Sequence, residues 1–260
     1  MPTLLLEKNV SPGVSVVTFN RPEVLNAFNT AMWRELWTLL RELAYDTTLA
    51  CLIVQGAGAR AFSAGGDLKE RNNMSDADWA AQHQLIEDAL LQIRDFPRPV
   101  IAAMHGIAHG GGFELALMCD FIIGDDTCDI ALPESRRGFL PGGGGMQNLA
   151  RAIGLRKAKQ MLYTGARLNA RQAHEWGILN ERVAAGAHLP RALELAREIT
   201  RSSPLAIRAA KVTLQQGADC DFRSGYALDL AFYNMLVRSE DRLEGIRAFN
   251  EKREPRWTQQ

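Results

Sequence analysis

Residues 106 to 120, GIAHGGGFELALMCD, run three successive glycines (Gly110, Gly111, Gly112) into an apolar helical pattern with one carboxylate, Glu114, in its first turn. Glycine costs chain entropy, so a triplet points to backbone that lies very close to something or adopts angles other residues avoid. A helix start presents unpaired N–H groups and the positive end of the dipole, which favour an oxygen carrying negative charge. A tight turn with a helix-start glutamate would satisfy the same residues. SAGGDLKE (63 to 70) repeats the pattern, small residues leading into an acid and a helix. Two strand ends, after the strands at 51 to 55 and 99 to 104, would each hand one N–H into a cleft and make two donors for a single oxygen, the geometry of an oxyanion hole. ALPESRRGFLPGGGG (131 to 145) adds a second acid, Glu134, ahead of the run Gly142 to Gly145. Two carboxylates are what a reaction needs when one group activates water and another moves a proton to carbon. Either glutamate alone reads as readily as a surface or capping residue.

These groups need a frame. LLLEKNVSPGVSVVTF (4 to 19) reads as a hairpin turning at Ser-Pro-Gly. NTAMWRELWTLLREL (29 to 43) sets Met32, Leu36, Leu39, Leu40 and Leu43 at helical spacing behind a cap at Asn29 or Thr30. CLIVQG, PVIAAMHG and DFIIGDD read as buried strands, with a polar helix near 75 to 94. Strands alternating with helices indicate an α/β protein with a mostly parallel sheet. From about residue 145 the strand signal nearly disappears: LRKAKQMLYTG, NARQAHEWGIL, PRALELAREITRSSP, AIRAAKVTLQQG and the stretch 222 to 252 all read as helices. The α/β body gives way to a helical tail at about 195 to 200.

Composition narrows the function. The 260 residues are 47% hydrophobic and 23% charged, with 30 basic residues against 30 acidic, an ordinary globular balance. Zero net charge argues against a protein built mainly to bind nucleic acid or an anionic membrane. Cys51, Cys119, Cys128 and Cys220 form no CxxC, and His83, His105, His109, His174 and His188 form no HxxxH, so reduced core cysteines and no metal site are expected. The opening MPTLLLEKNV is too short and wrongly flanked for a signal peptide, and no apolar run approaches the about 20 residues of a membrane span, which makes the cytoplasm the expected location. GAGARA (56 to 61) matches a loose dinucleotide fingerprint, but Gly65 and Gly66 interrupt the helix that motif must open, so a plain loop is expected.

Taken together, NRPEVLNAFN (20 to 29), AFSAGGDLKE (61 to 70), PVIAAMHGIAHGGGFELALMCD (99 to 120), ALPESRRGFLPGGGGMQNLARAIG (131 to 154) and EGIRAFNEKREPRW (244 to 257) resemble the crotonase family of enoyl-CoA hydratases and isomerases. The resemblance implies the crotonase (ClpP-like) fold: a spiral of ββα units over 1 to 197, then a helical oligomerisation region, 198 to 260, that assembles a homotrimer or a dimer of trimers. It implies an acyl-CoA thioester as substrate and no separate cofactor. Gly66 and Gly111 then match the oxyanion N–H donors, Glu114 the acid that activates water for C3, and Glu134 the acid that exchanges the proton at C2. Like charges so placed should leave one acid protonated and the other ionised. Possession of both acids favours hydration over double-bond isomerisation through Glu134 alone; other acyl-CoA dehydratases and lyases of the family share the pair and stay as alternatives. Val24, Leu25, Ala64, Asp67, Leu68, Lys69 and Gly142 match the path of the CoA chain, while Phe249 and Lys252 match positions that reach adenine and the 3′-phosphate, often from a neighbouring subunit. Glu23 departs from the pattern, standing where some hydratases carry a lysine. The look is closest to the methylglutaconyl-CoA hydratase branch, some of whose members also bind RNA. An acidic acyl tail would want a cation, which Arg136 or Arg137 could supply; two solvated arginines is the plainer reading. An RNA-binding protein on this fold would have to rely on stretches such as RAIGLRKAKQ (151 to 160), without overall basic charge.

Overall fold

The Ser-Pro-Gly turn folds as its residues dictate: Gly13 takes φ +72° and joins β1 (Leu4–Ser11) to β2 (Val14–Phe19) as an antiparallel pair. This is a computed structural model, and it describes residues 2–260. Asn29 is the cap of α1 (Thr30–Ala44), its side chain accepting from the Met32 N–H at 3.0 Å. There follow β3 (Cys51–Gly56), β4 (Ala61–Ser63), the one-turn helix α2 (Leu68–Arg71), α3 (Asp76–Arg94), β5 (Val100–Met104), β6 (Ile107–His109) and α4 (Gly111–Met118). After β7 (Phe121–Asp125) and β8 (Asp129–Ala131) come a 3-10 turn at Glu134–Arg137, α5 (Gly145–Ile153), α6 (Leu155–Thr164), β9 (Arg167–Asn169), α7 (Ala170–Trp176) and β10 (Glu181–Val183). The chain ends in α8 (His188–Ile199), α9 (Pro204–Gly217), α10 (Phe222–Leu236) and α11 (Glu240–Glu251).

The strands form two sheets. The larger has the order β1-β2-β3-β5-β7-β10 and is parallel from β2 onward. The smaller, β4-β6-β8-β9, is parallel except for β9. Each turn of the spiral lays one strand in each sheet and then a helix: β3 with β4, β5 with β6, β7 with β8. Side chains alternate across the large sheet as strand geometry requires. Leu52, Val54, Val100, Ala102 and Met104 face a core shared with Phe62 and Ile130 of the small sheet and with α1, α3 and α4. Cys51, Ile53, Ile101, Ala103 and Ile123 face Ala192 and Ala196 of α8. Burial on both faces explains why these strands read as unbroken apolar runs.

The strand signal does not end at residue 145: β9 and β10 lie beyond it, three residues each, too short for an alternation to register. GAGARA is a turn between β3 and β4 and opens no helix. The stretch 222 to 252 is two helices, since Ser239 caps a new start by accepting from Arg242 N–H. The terminal helices are tied to the core by polar contacts: Lys211 on α9 donates to Asp120 at 2.8 Å and to the Arg98 carbonyl at 3.2 Å, and Gln215 donates to the Arg94 carbonyl. Among the described residues no helix is long and apolar enough to cross a membrane.

Candidate active site

The small sheet builds the site. β4 and β6 pair in parallel (Ala61 with Ile107, Ser63 with Ala108), so the segments leaving their C-terminal ends emerge side by side. One carries Gly66 and the other Gly111. The sequence reading placed these donors after the strands of the large sheet; they follow the short strands β4 and β6 instead. A Cβ built on Gly65 would lie 3.0 Å from the Gly111 nitrogen and one on Gly111 would lie 3.8 Å from the Gly66 nitrogen, which measures how closely the two segments approach. Gly65 sits at φ +90°, where a side chain would also strike the His109 carbonyl at 2.7 Å. Here glycine is required twice over, by angle and by space.

Residues 21 to 28 hold the Gly66 segment from outside. Phe28 N–H donates to the Gly65 carbonyl, Asp67 N–H to the Phe28 carbonyl and Ala64 N–H to the Leu25 carbonyl, at 2.7 to 2.9 Å. Asn26 is fully buried, its amide donating to the Ala57 and Ala61 carbonyls, and Ser63 Oγ bonds the Asn26 carbonyl while accepting from Gly65 N–H. Arg21 clamps the Ala27 carbonyl and Asp67. Gly66 and Gly111 N–H donate to no acceptor among the described residues, and both glycines line a cleft of about 710 Å³.

Both glutamates line this cleft, each 5% exposed. Glu114 lies in the first turn of α4, and its Oε1 accepts from Gly143 N–H at 2.7 Å and Gly145 N–H at 3.0 Å. The run Gly142 to Gly145 thereby finds its reason. A Cβ on Gly145 would stand 2.8 Å from Glu114 Cγ, and one on Gly142 would stand 2.6 Å from the His83 ring. Glu134 opens the 3-10 turn after β8, and its Oε2 is buried with no hydrogen-bond partner. A Cβ on Gly110, at φ +52°, would come within 2.8 Å of Glu134 Oε1.

The two acids are pushed the same way. Burial raises the Glu134 carboxyl from 4.5 to about 7, the nearby Glu114 charge adding to the rise and a backbone hydrogen bond and Arg137 opposing it. Burial also raises Glu114, against the Gly145 and Gly143 N–H donors and the Arg71 charge. At Glu134 burial therefore outranks the repulsion from Glu114, and at Glu114 it outweighs the N–H donors and Arg71. Glu134 therefore still holds its proton in part at neutral pH. Glu114, with two N–H groups on one oxygen, is the better stabilised anion.

Val24, Leu25 and Ala64 line the cleft, as do Asp67, Leu68, Lys69 and Gly142; Glu23 lies there too. Phe249 and Lys252 do not: they lie on and just after α11, with Phe249 84% exposed. Arg137 lines the cleft, whereas Arg136 turns away, its Nε donating to the Thr164 carbonyl at 2.7 Å and its chain filling the space beside Gly165. Arg136 is an exposed side chain that anchors the end of α6 and does not line the cleft. The 151 to 160 stretch is partly tied down, with Arg151 on Asp219 and Lys157 over Trp176. Sequence reasoning missed Arg71, Trp79, His83 and Phe139, all in the cleft wall; only the proximity of Arg71 to SAGGDLKE could have signalled it.

A spiral of paired strands whose two adjacent glycine segments and two buried carboxylates open on one cleft defines an α/β enzyme of the crotonase type. The sequence profile described as "Enoyl-CoA hydratase/isomerase" matches residues 9–260. The 2,3-dehydroadipyl-CoA hydratase of Escherichia coli (strain K12) is 37% identical over 93% of this chain and 94% of its own. The mitochondrial methylglutaconyl-CoA hydratase of Mus musculus is 35% identical over 94% of this chain and 79% of its own. The crystal structure of an enoyl-CoA hydratase from Bacillus anthracis superposes with a TM-score of 0.97 at 34% identity, covering 99% of this chain and 100% of that one. The chain belongs to the enoyl-CoA hydratase/isomerase family.

Proposed function

We propose that this enzyme adds water reversibly, in the syn sense, across the C2=C3 bond of a 2-enoyl-CoA thioester, and that its acyl group is short and branched or acidic. The observation that carries the reading is the shared cleft of Glu114, Glu134, Gly66 and Gly111. The thioester oxygen sits between the Gly66 and Gly111 N–H groups, where the start of α4 stabilises the negative charge that develops on it. Removing one such donor typically costs about 3 to 4 kcal/mol of barrier. Glu114 has one oxygen committed to Gly143 and Gly145; the other takes the proton of the attacking water as its oxygen bonds C3. Glu134, whose raised carboxyl keeps part of its population protonated at neutral pH, gives its proton to C2 as the enolate collapses. Water supplies both the hydroxyl and, after exchange between the acids, the proton. The acidic acyl group is supported by the printed substrates of two relatives, 2,3-dehydroadipyl-CoA and methylglutaconyl-CoA.

CoA would run past Leu25, Ala64 and Leu68, with Lys69 near its phosphates. Phe249 and Lys252 would reach it from a second copy in a trimer or hexamer, whose contacts would cover exposed Phe222, Tyr233 and Met235. The decisive measurement is loss of conjugated-thioester absorbance with crotonyl-, 3-methylcrotonyl-, 3-methylglutaconyl- and 2,3-dehydroadipyl-CoA. Rapid loss with at least one is expected, and no loss with any refutes hydration. Glu114→Gln should lower the rate by at least about 100-fold. A variant that stops hydration but still moves a double bond would assign isomerisation to Glu134.

A further inference from the structure

Arg60, Lys69, Arg71 and Arg137 line the cleft without an ion-pair partner among the described residues, and of these Arg71 is the one beside Gly66. Arg71 ends α2, five residues after Gly66, and a Cβ on Gly66 would lie 3.4 Å from its Cζ. The guanidinium therefore stands beside one of the two groups assigned to the thioester oxygen. It is held in one plane. Its face lies 4.5 Å from the centroid of Trp79, which meets Phe139 edge-on, and its Nε donates to Gln82 Oε1 at 2.8 Å. Gln82 is in turn fixed by its amide, which donates to Thr30 Oγ1 at 2.7 Å and Glu70 Oε2 at 2.9 Å; that oxygen also accepts from Thr30 N–H at the start of α1. Helices α1, α2 and α3 thus orient one guanidinium through a single amide.

This arrangement uses one of the five N–H donors of an arginine and leaves both Nη groups, a planar fork that fits a carboxylate in bidentate fashion. No carboxylate among the described residues lies within ion-pair distance of it. Apart from its attraction for Glu114, a half-buried cation brings a cleft meant for a plain hydrocarbon chain only a desolvation cost. An anionic substrate group recovers that cost, and Arg71 offsets the repulsion that group meets from Glu114.

We propose that Arg71 is the specificity-determining residue of this enzyme and that it binds a carboxylate at the far end of the acyl chain, making the substrate the CoA monothioester of a short unsaturated dicarboxylic acid. Trp79 and Gln82 are positioning residues that aim the fork. This proposal rests on the assignment of Gly66 and Gly111 to the thioester oxygen, and it names Arg71 in place of Arg136 or Arg137 as the cation for an acidic tail; Arg137 also lines the cleft but is exposed.

The test reads the ratio of kcat/KM for 3-methylglutaconyl- and 2,3-dehydroadipyl-CoA to that for 3-methylcrotonyl- and crotonyl-CoA. The wild-type enzyme should favour the acidic substrates by about tenfold or more. Arg71→Met should lower the ratio by about 30-fold or more, the loss expected when one partner of a desolvated charge pair is removed. Arg71→Lys, which keeps the charge but not the fork, should recover part of it. A ratio unchanged by Arg71→Met, or a wild-type preference for neutral chains, overturns the proposal. Should the variants fail to fold, calorimetry on the wild-type protein decides with two saturated thioesters: glutaryl-CoA must bind at least about tenfold tighter than butyryl-CoA, and equal affinity overturns it. The same titration separates this proposal from the hydratase reading. Tighter glutaryl-CoA binding with no turnover of any enoyl thioester sustains the carboxylate site and sinks hydration.

Discussion

Replacing Glu134 by glutamine should stabilise the protein at alkaline pH while it disables the reaction. Burial raises the Glu134 carboxyl from 4.5 to about 7, so between those values the folded chain holds a proton that the unfolded chain has released. The native state is then favoured least when both forms are ionised: the penalty is absent below the unfolded value, grows as pH rises, and is complete above the folded one. A difference of about 2.5 units corresponds to roughly 3 kcal/mol. Glutamine keeps the shape and carries no charge at any pH. The expected gap between Glu134→Gln and wild type is under about 1 kcal/mol at pH 5 and roughly 2 to 3 kcal/mol in favour of the variant at pH 8.5. In a chain of this size that corresponds to roughly 5 to 10 °C in Tm. Urea unfolding of both proteins at both pH values, at one fixed protein concentration, measures it. The informative quantity is how the gap changes with pH, because any pH-independent packing effect of the substitution cancels. A gap of the same size at both pH values would refute the assignment of a raised, burial-driven carboxyl to Glu134.

The same group sets a pH limb in catalysis: kcat/KM for hydration should fall about tenfold per unit above pH 7 as Glu134 loses its proton, and because the reaction takes up no net proton the dehydration direction should show the same limb. Flat profiles between pH 6 and 8.5 in both directions would remove its role as the acid. Gly110→Ala forces a side chain onto φ +52° and to 2.8 Å from Glu134 Oε1; about 1 to 3 kcal/mol of stability should be lost, with a larger fractional loss of hydration than of acyl-CoA affinity in a parallel titration. Lys211→Met strands the Asp120 carboxylate, which burial already pushes up in pKa. The expected loss is about 3 to 5 kcal/mol by urea unfolding, and Lys211→Met with Asp120→Leu should recover part of it.

The sequence is informative where a pattern outlasts a few residues. The α1 cap at Asn29, the hairpin turning at Gly13, and the buried strands 51–56 and 100–104 all follow from local chemistry and from periods long enough to count. The small sheet escapes the same reading because β4, β6, β8 and β9 have three residues each, and a period of two needs more than that to stand out. Those are the strands that bring Gly66 beside Gly111, so the motif was visible while the frame that makes it a site was not. Glycines 142 to 145 read as an accompaniment to Glu134, which precedes them in the chain, yet two of them serve Glu114 about thirty residues away. Arg71 sits in the polar run Leu68–Arg71 that looks solvated, and only its contact with Trp79 and Gln82 across α3 turns it inward.

The pairing of β4 with β6 has one more implication, for how such an enzyme could change its substrate. The grip on the thioester oxygen is assigned to two main-chain N–H groups set by strand register, which most side-chain replacements leave in place. Arg71, Trp79 and His83, by contrast, are side chains on helices outside the small sheet. Mutation can therefore redraw the acyl end of the cleft one residue at a time while the carbonyl grip stays intact, so variants in this wall are the ones to screen when a new acyl specificity is wanted from the same scaffold.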